Sequence, residues 1–194
     1  MKRLVVALLC TPAFAFAEDA AKPAAAAPAM EMPKPGAEHK ALKPFFGGSL
    51  TWAGKMPAGA MGPGSPEIKT HAKQNCRALY GGFSYLCEFE DASGSGKQAL
   101  TWKGHFVISW DPAAKTYKSF GVDNFGGIMS LKGELTGKKF VLVTSEPAVM
   151  MGQAFQDRLT WDLETMRFTD EHAAPGSSDW KIFEEATFRK VTAF

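Results

Sequence analysis

From Ser49 to Lys190 the apolar residues recur at every second position, in short runs separated by residues that favour turns. Period two belongs to the β-strand, because successive side chains of an extended chain point to opposite faces. The runs are Ser49–Ala53, Glu67–Tyr80, Phe83–Asp91, Lys97–Trp110, Thr116–Asn124, Ile128–Glu134, Lys139–Thr144, Gln153–Asp162, Arg167–Ala173 and Ser178–Lys190. Links such as Asp111-Pro112-Ala113-Ala114-Lys115, Thr136-Gly137-Lys138 and Leu163-Glu164-Thr165 are hairpin connections. About ten sequential antiparallel strands leave two unpaired edges unless the sheet closes on itself, so the prediction is an all-β meander barrel. One short α-helix precedes it over Ala37–Phe46, with Pro35-Gly36 before it, Glu38 in its first turn and Leu42, Phe45 and Phe46 on one face.

Cys76 and Cys87 flank Tyr80-Gly81-Gly82-Phe83, and paired glycines accept the positive φ of a tight hairpin turn. Symmetric pairing about Gly81-Gly82 sets Cys76 opposite Cys87, Lys73 opposite Glu90 and Asn75 opposite Glu88. The polar pairs define one face, and Ala78, Tyr80, Phe83, Tyr85 and Phe89 define the other with the cysteines. Opposed strand residues have Cα atoms roughly 4.5–5.5 Å apart, within reach of a disulfide. A cross-strand Cys76–Cys87 bond is predicted, the alternative being a pair of inert buried thiols.

Lys2 and Arg3, the apolar run Leu4–Cys10 and the small-x-small site Ala15-Phe16-Ala17 read as a signal peptide over residues 1–17, cleaved after Ala17. The run is shorter than the about 20 residues a membrane span needs, and Leu9 is bulky where a lipid-attachment site before Cys10 needs a small residue. The chain carries 22 Lys and Arg against 20 Asp and Glu. Cleavage removes two bases and no acid, which leaves no basic excess for nucleic acid or anionic membrane to recognise. Residues 18–36, rich in Ala and Pro, read as a tether that cannot bury a core, and residues 37–194 as one domain. A periplasmic or secreted location follows, and it favours the disulfide.

Met32-Pro33-Lys34-Pro35-Gly36-Ala37-Glu38-His39-Lys40-Ala41-Leu42, the Pro63-Gly64-Ser65-Pro66 turn, Leu79-Tyr80-Gly81-Gly82-Phe83, Gly104-His105 before Asp111-Pro112, and Tyr117 ahead of Asp123 resemble a bacterial family of exported lipocalin-like domains of unknown function. The match runs from about Met32 to Val191 and implies a calycin-like barrel without implying a reaction. It also implies a tryptophan packed beneath an arginine of the last strand, here Trp52 and Arg189, although a lipocalin Gly-x-Trp would place its tryptophan at Ser49. Calycin relatives include haem-binding nitrobindins, and His172 is the histidine here whose parity points inward.

An eight- to ten-stranded barrel is either filled with side chains or holds one small ligand, so inward polar residues are the informative ones. Phe155, Asp157, Leu159 and Trp161 share one face of their strand; Met166, Phe168, Asp170 and His172 share one face of the next. If Trp161 lies opposite Met166, then Asp157 meets Asp170 and Phe155 meets His172. Two adjacent carboxylates in an apolar wall cannot both ionise cheaply, so one is protonated or a cation sits between them. Such a group could serve acid–base chemistry with His172, coordinate a hard metal or orient a ligand; the alternative is that the strand end twists into solvent. His39 in the helix, His71 opposite Ala92 and His105, out of phase with Trp102, Phe106, Ile108 and Trp110, read as surface residues. One of Asp123 and Asn124 points inward.

Gly54–Pro66 and Ser145–Gly152, rich in Gly, Pro and Met, are either ordinary connections or flaps over a barrel mouth. No nucleophilic triad, phosphate loop or zinc-type Cys/His spacing is present, and the methionines are scattered, so neither cofactor nor metal is predicted. Tyr85, Trp102, Phe106, Trp110, Phe155 and Trp161 would line the interior, with Asp157, Asp170 and His172 orienting a small apolar or amphipathic molecule. A hydrolase or isomerase built on the same acids and His172, and a filled barrel acting through its surface at the cell envelope, are the competing expectations.

Overall fold

A computed structural model describes residues 33–94, 99–150 and 152–191. The predicted signal peptide, the tether as far as residue 32 and the start of the run predicted from Lys97 lie outside the described residues. Two short helices, α1 (Ala37–Ala41) and α2 (Lys43–Phe46), stand where one was predicted. Pro44 lacks the amide that would continue the α1 ladder, so the chain restarts at Leu42, whose carbonyl accepts from Phe45 and Phe46. The strands follow as β1 (Ser49–Met56), β2 (Ile68–Leu79), β3 (Ser84–Ser93), β4 (Leu100–Asp111), β5 (Thr116–Asp123) and β6 (Ile128–Thr136). They continue as β7 (Lys139–Thr144), β8 (Ala148–Met150), β9 (Gln153–Asp162), β10 (Arg167–Ala173) and β11 (Lys181–Val191). Among the described residues no helix is long and apolar enough to cross a membrane.

Every pairing is antiparallel. Pairs β11–β1 and β9–β10 close the sheet, so all strands except the short β8 form the ring, and β8 extends the β7 side along β9. The predicted ten-strand closed meander is the architecture found.

The first hairpin has the predicted register, Cys76 opposite Cys87, Lys73 opposite Glu90 and Asn75 opposite Glu88, and the two cysteines are bonded. Its turn is wider than the two glycines. The last pair is Leu79 with Ser84, and Tyr80, Gly81 and Gly82 all take positive φ. Tyr80, predicted to face inward, therefore leaves the ladder and is 82% exposed; Ala78 is exposed as well.

Two other hairpins share one local device. Asp111 Oδ1 accepts from the amides of Ala113 and Ala114, and Asp162 Oδ1 from those of Glu164 and Thr165. Each turn then ends on a residue at positive φ, Lys115 at 50° and Met166 at 55°. Met166 is thereby part of the turn, and the ladder begins at Asp162 with Arg167. The expected register is corrected by two residues: Trp161 faces Phe168, Leu159 faces Asp170 and Asp157 faces His172. An even shift keeps each side chain on its face.

The connections after β2, β4, β6 and β9 lie at one end of the barrel, where the helices close it. Leu42, Phe45 and Phe46 are buried there, and the Phe46 ring meets Phe106, Phe140 and Trp161. Each such side chain taken from water contributes roughly 1.5–3 kcal/mol. Tyr117 Oη donates to Glu38 O at 3.1 Å, and His39, expected on the surface, packs its half-buried ring edge-on against Phe83 at 5.0 Å. The implied Trp52–Arg189 stack is absent: Trp52 packs inside on Phe168 at 5.4 Å, whereas exposed Arg189 bonds Thr51 outside.

Candidate functional site

The interior toward the other end is hollow, with a cavity of about 440 Å³. Met61 from the β1–β2 connection and Ala148 and Val149 from the segment after β7 contribute to its lining, so both Gly/Pro/Met-rich segments border it. Phe125, Ile128 and Val149 also border it yet are 57%, 68% and 66% exposed, which places an apolar rim at the open end.

The two sides of the cavity differ in chemistry. From β4 to β7 come Trp102, Phe106, Met129, Leu131 and Leu142, with Ser119 as the buried polar residue. From β9, β10, β11 and β3 come Asp157, Asp170, Glu184 and Asp91, all at most 6% exposed. No lysine or arginine is among the described lining residues. Four acids thus face an apolar wall with no lysine or arginine among the described residues that line it.

Local structure explains each placement. Tyr85, Cys87, Asp91 and Ser93 alternate on the inner face of β3 and are buried, and Asp170 and His172 are two apart on β10. In β11 the alternation breaks. Asp170 pairs with Glu184 and Glu171 with Ile182, so Phe183 is the extra residue of a bulge. Both Phe183 and Glu184 are buried as a result. Glu184 reaches past β1 to Thr70 of β2, whose Oγ1 donates to Glu184 Oε1 at 2.6 Å. Gly54 of β1 is the ladder partner of both Thr70 and Ala186, and a Cβ there would press on Glu185 O and Ala186 Cβ.

His172 is held flat against Phe183, ring centroids 4.1 Å apart and 14° between planes, with Phe155 at 4.5 Å. Its Nε2 lies 3.3 Å from Asp170 Oδ1 and 4.0 Å from Asp157 Oδ1. On the outer face of the same hairpin Arg158 makes a bidentate pair with Glu171, 2.7 and 2.6 Å, and lies over Trp180 at 4.5 Å. That pair joins the residues next to Asp157 and His172 and so holds their register.

Burial sets the protonation. Loss of hydration pushes the Asp170 carboxyl up to about 7, with the charges of Glu184 and Asp91 adding and the hydrogen bond from Asp157 opposing. Asp157 is raised well above the usual carboxylate range by burial and by the charge of Asp170, so this pair holds on to a proton that two solvated carboxylates would release. Burial raises Asp91 to about 8, with Glu184 adding, and raises Glu184 too. Burial lowers His172, which leaves a neutral imidazole. Oδ1 of Asp91, Asp157 and Asp170, Nε1 of Trp102 and Trp161 and Oγ of Ser119 are buried and make no hydrogen bond to the protein.

Of the residues singled out from sequence, Trp102, Phe106, Phe155, Asp157, Trp161 and Asp170 line the cavity, and His172 stands between two of its walls, Phe155 and Phe183. Tyr85 and Trp110 do not; they pack at the helix-closed end, Trp110 on Tyr117 at 5.0 Å. Asp91 and Glu184 complete the acidic wall without being among the residues singled out. Parity with Cys87 could have shown Asp91, whereas the bulge hides Glu184 from any parity rule. His71 is exposed, and His105 points outward to Glu88 at 3.4 Å. Asp123 and Asn124 hold the β5–β6 turn: Asp123 accepts from Phe125 and Gly127, and Asn124 accepts from Lys103 N.

No curated protein matches the chain. Residues 34–190, from α1 through nearly all of β11, match the family described as "Protein of unknown function (DUF1579)", and the chain belongs to that family.

Proposed function

We propose that this protein is a lipocalin-like carrier that holds one small, largely apolar molecule inside its barrel, with the molecule's polar group set against the buried acids. The observation that carries this reading is the coexistence, in one cavity of about 440 Å³, of an apolar wall and buried polar atoms without protein partners. Ligand sites typically measure about 300–1,000 Å³ and combine such walls with a few convergent polar groups. The unpaired Oδ1 atoms of Asp157, Asp170 and Asp91 offer acceptors, and the indole N–H groups of Trp102 and Trp161 offer donors. An alcohol, amine or carbonyl head suits this wall, whereas a carboxylate meets like charge. The signal-like N-terminus and the Cys76–Cys87 bond support action outside the cytoplasm.

Titration with N-phenyl-1-naphthylamine, an uncharged fluorescent probe, tests the reading. Saturable one-to-one binding with quenching of tryptophan emission is expected, together with competition by a long-chain alcohol or amine that exceeds competition by the matching fatty acid. Absence of saturable binding, with nothing apolar extracted from the purified protein, would reject it.

A second reading, proton transfer on the bound molecule, is supported by Asp170 being pushed to about 7 beside a neutral His172. Conversion of a co-purified molecule that disappears in Asp170→Asn selects it; release of that molecule unchanged refutes it.

A further inference from the structure

Deepening the reading of this cavity as a binding site, we propose that Asp157, Asp170 and His172 form a site for one divalent first-row transition ion of the zinc class, at the edge of the cavity. One ligand atom from each residue falls within 4.8 Å of the others. Zinc bonds of about 2.0–2.2 Å in tetrahedral array place neighbouring ligand atoms about 3.3 Å apart. His172 Nε2 is already 3.3 Å from Asp170 Oδ1 and 4.0 Å from Asp157 Oδ1, so the first spacing fits and the second must shorten.

Three features separate this set from a mere acidic cluster. Asp157 and Asp170 are 2% and 4% exposed, and the Oδ1 of each, the atom nearest His172, makes no hydrogen bond to the protein. The imidazole is clamped between Phe155 and Phe183 with Nε2 toward those oxygens, which restricts its rotation. The Arg158–Glu171 pair fixes the same two strands from outside, the support that ligating residues require to keep their geometry. Two carboxylates balance the double charge, and among the described residues the wall has no lysine or arginine to compete with the ion. A nitrogen donor with only two carboxylates suits zinc, iron or manganese better than calcium, which takes six to eight oxygens. With three protein ligands the ion keeps a position open toward the cavity, where the polar head of the bound molecule can coordinate.

The test uses the purified chain, stripped with EDTA and titrated near neutral pH with Co²⁺ and then Zn²⁺, with Ca²⁺ in parallel. One equivalent of Co²⁺ should give visible ligand-field bands that Zn²⁺ displaces and Ca²⁺ does not. Asp157→Asn and Asp170→Asn should each weaken Zn²⁺ by more than the roughly 10–100-fold that loss of a supporting residue costs. His172→Phe, which keeps an aromatic ring in the stack, should abolish the Co²⁺ bands, while Glu88→Gln on the outer surface should leave them. Melting transitions verify that each variant is folded. No stoichiometric uptake by the wild type, or unchanged Zn²⁺ affinity in all three site variants, overturns the proposal. N-phenyl-1-naphthylamine binding in excess EDTA reports on the cavity separately. Probe binding without metal uptake sinks the metal site alone, and metal uptake without probe binding sinks the apolar-ligand reading alone.

Discussion

Thr70 Oγ1 donates a 2.6 Å hydrogen bond to Glu184 Oε1, joining two buried side chains whose strands are separated by β1. Gly54 of β1, paired with Thr70 on one side and Ala186 on the other, leaves room for β11 to lie close. A methyl group at Gly54 would press on the Glu185 carbonyl and the Ala186 side chain. Gly54→Ala should therefore lower stability by about 1–3 kcal/mol through overpacking, measured as a reduced urea midpoint with unchanged slope.

Stability should decline as pH rises through neutrality. Asp91 and Asp170, raised to about 8 and about 7, and the likewise raised Asp157 and Glu184, hold protons in the fold that the unfolded chain has already released. Their contribution is fully present below the ordinary carboxylate range and is lost as pH climbs to the folded values, at about 1.4 kcal/mol per pH unit for each group still protonated in the fold. His172, lowered by burial, acts oppositely but only below its ordinary value of 6.5. Melting temperature should fall between pH 6.5 and 8, and Asp91→Asn should flatten the slope. An unchanged profile in that variant would contradict the assignment.

Filling the cavity should abolish binding without unfolding the barrel. Ser119 is buried, lines the cavity and has an unpartnered Oγ. Ser119→Phe places a ring in that space and should remove N-phenyl-1-naphthylamine binding while the melting temperature stays level or rises. Retained probe affinity would place the probe elsewhere.

The Cys76–Cys87 bond closes a hairpin with a sequence separation of 11. The chain-entropy account assigns a loop of this length about 2–3 kcal/mol, so Cys76→Ala/Cys87→Ala should lose roughly that amount in denaturant titration. Reductant should then have no further effect on the double variant.

Arg158 should matter beyond an ordinary surface charge. Its bidentate pair with Glu171 is partly buried and its guanidinium also lies over Trp180. Arg158→Ala should cost about 1–2 kcal/mol, and Arg158→Lys should recover less than half, because an ammonium cannot form the planar double bond. Full rescue by lysine would reduce the contact to simple charge.

The barrel itself was open to inspection in the chain. Cys76, Gly81-Gly82 and Cys87 carry one register on their own, and alternation along β9 and β10 places Asp157, Asp170 and His172 on one face. Tyr80 and Met166 depart from their expected places for a common reason: each adopts positive φ inside a turn, a backbone state that side-chain type does not announce. Tyr85 and Trp110 have the right parity and the wrong depth, since parity says which face a residue occupies and nothing about how far along the barrel axis it lies.

Local chemistry is written into the order of residues: where strands run, which face is apolar, where Asp111 and Asp162 hold their turns. Depth and company belong to the closed sheet alone. Only when β9, β10, β11 and β3 are brought around one axis do Asp157, Asp170, Glu184 and Asp91 share a wall. Only the bulge at Phe183 turns Glu184 toward that wall. The electrostatic character of the cavity arises from water excluded by distant parts of the chain, a property no single stretch of sequence possesses.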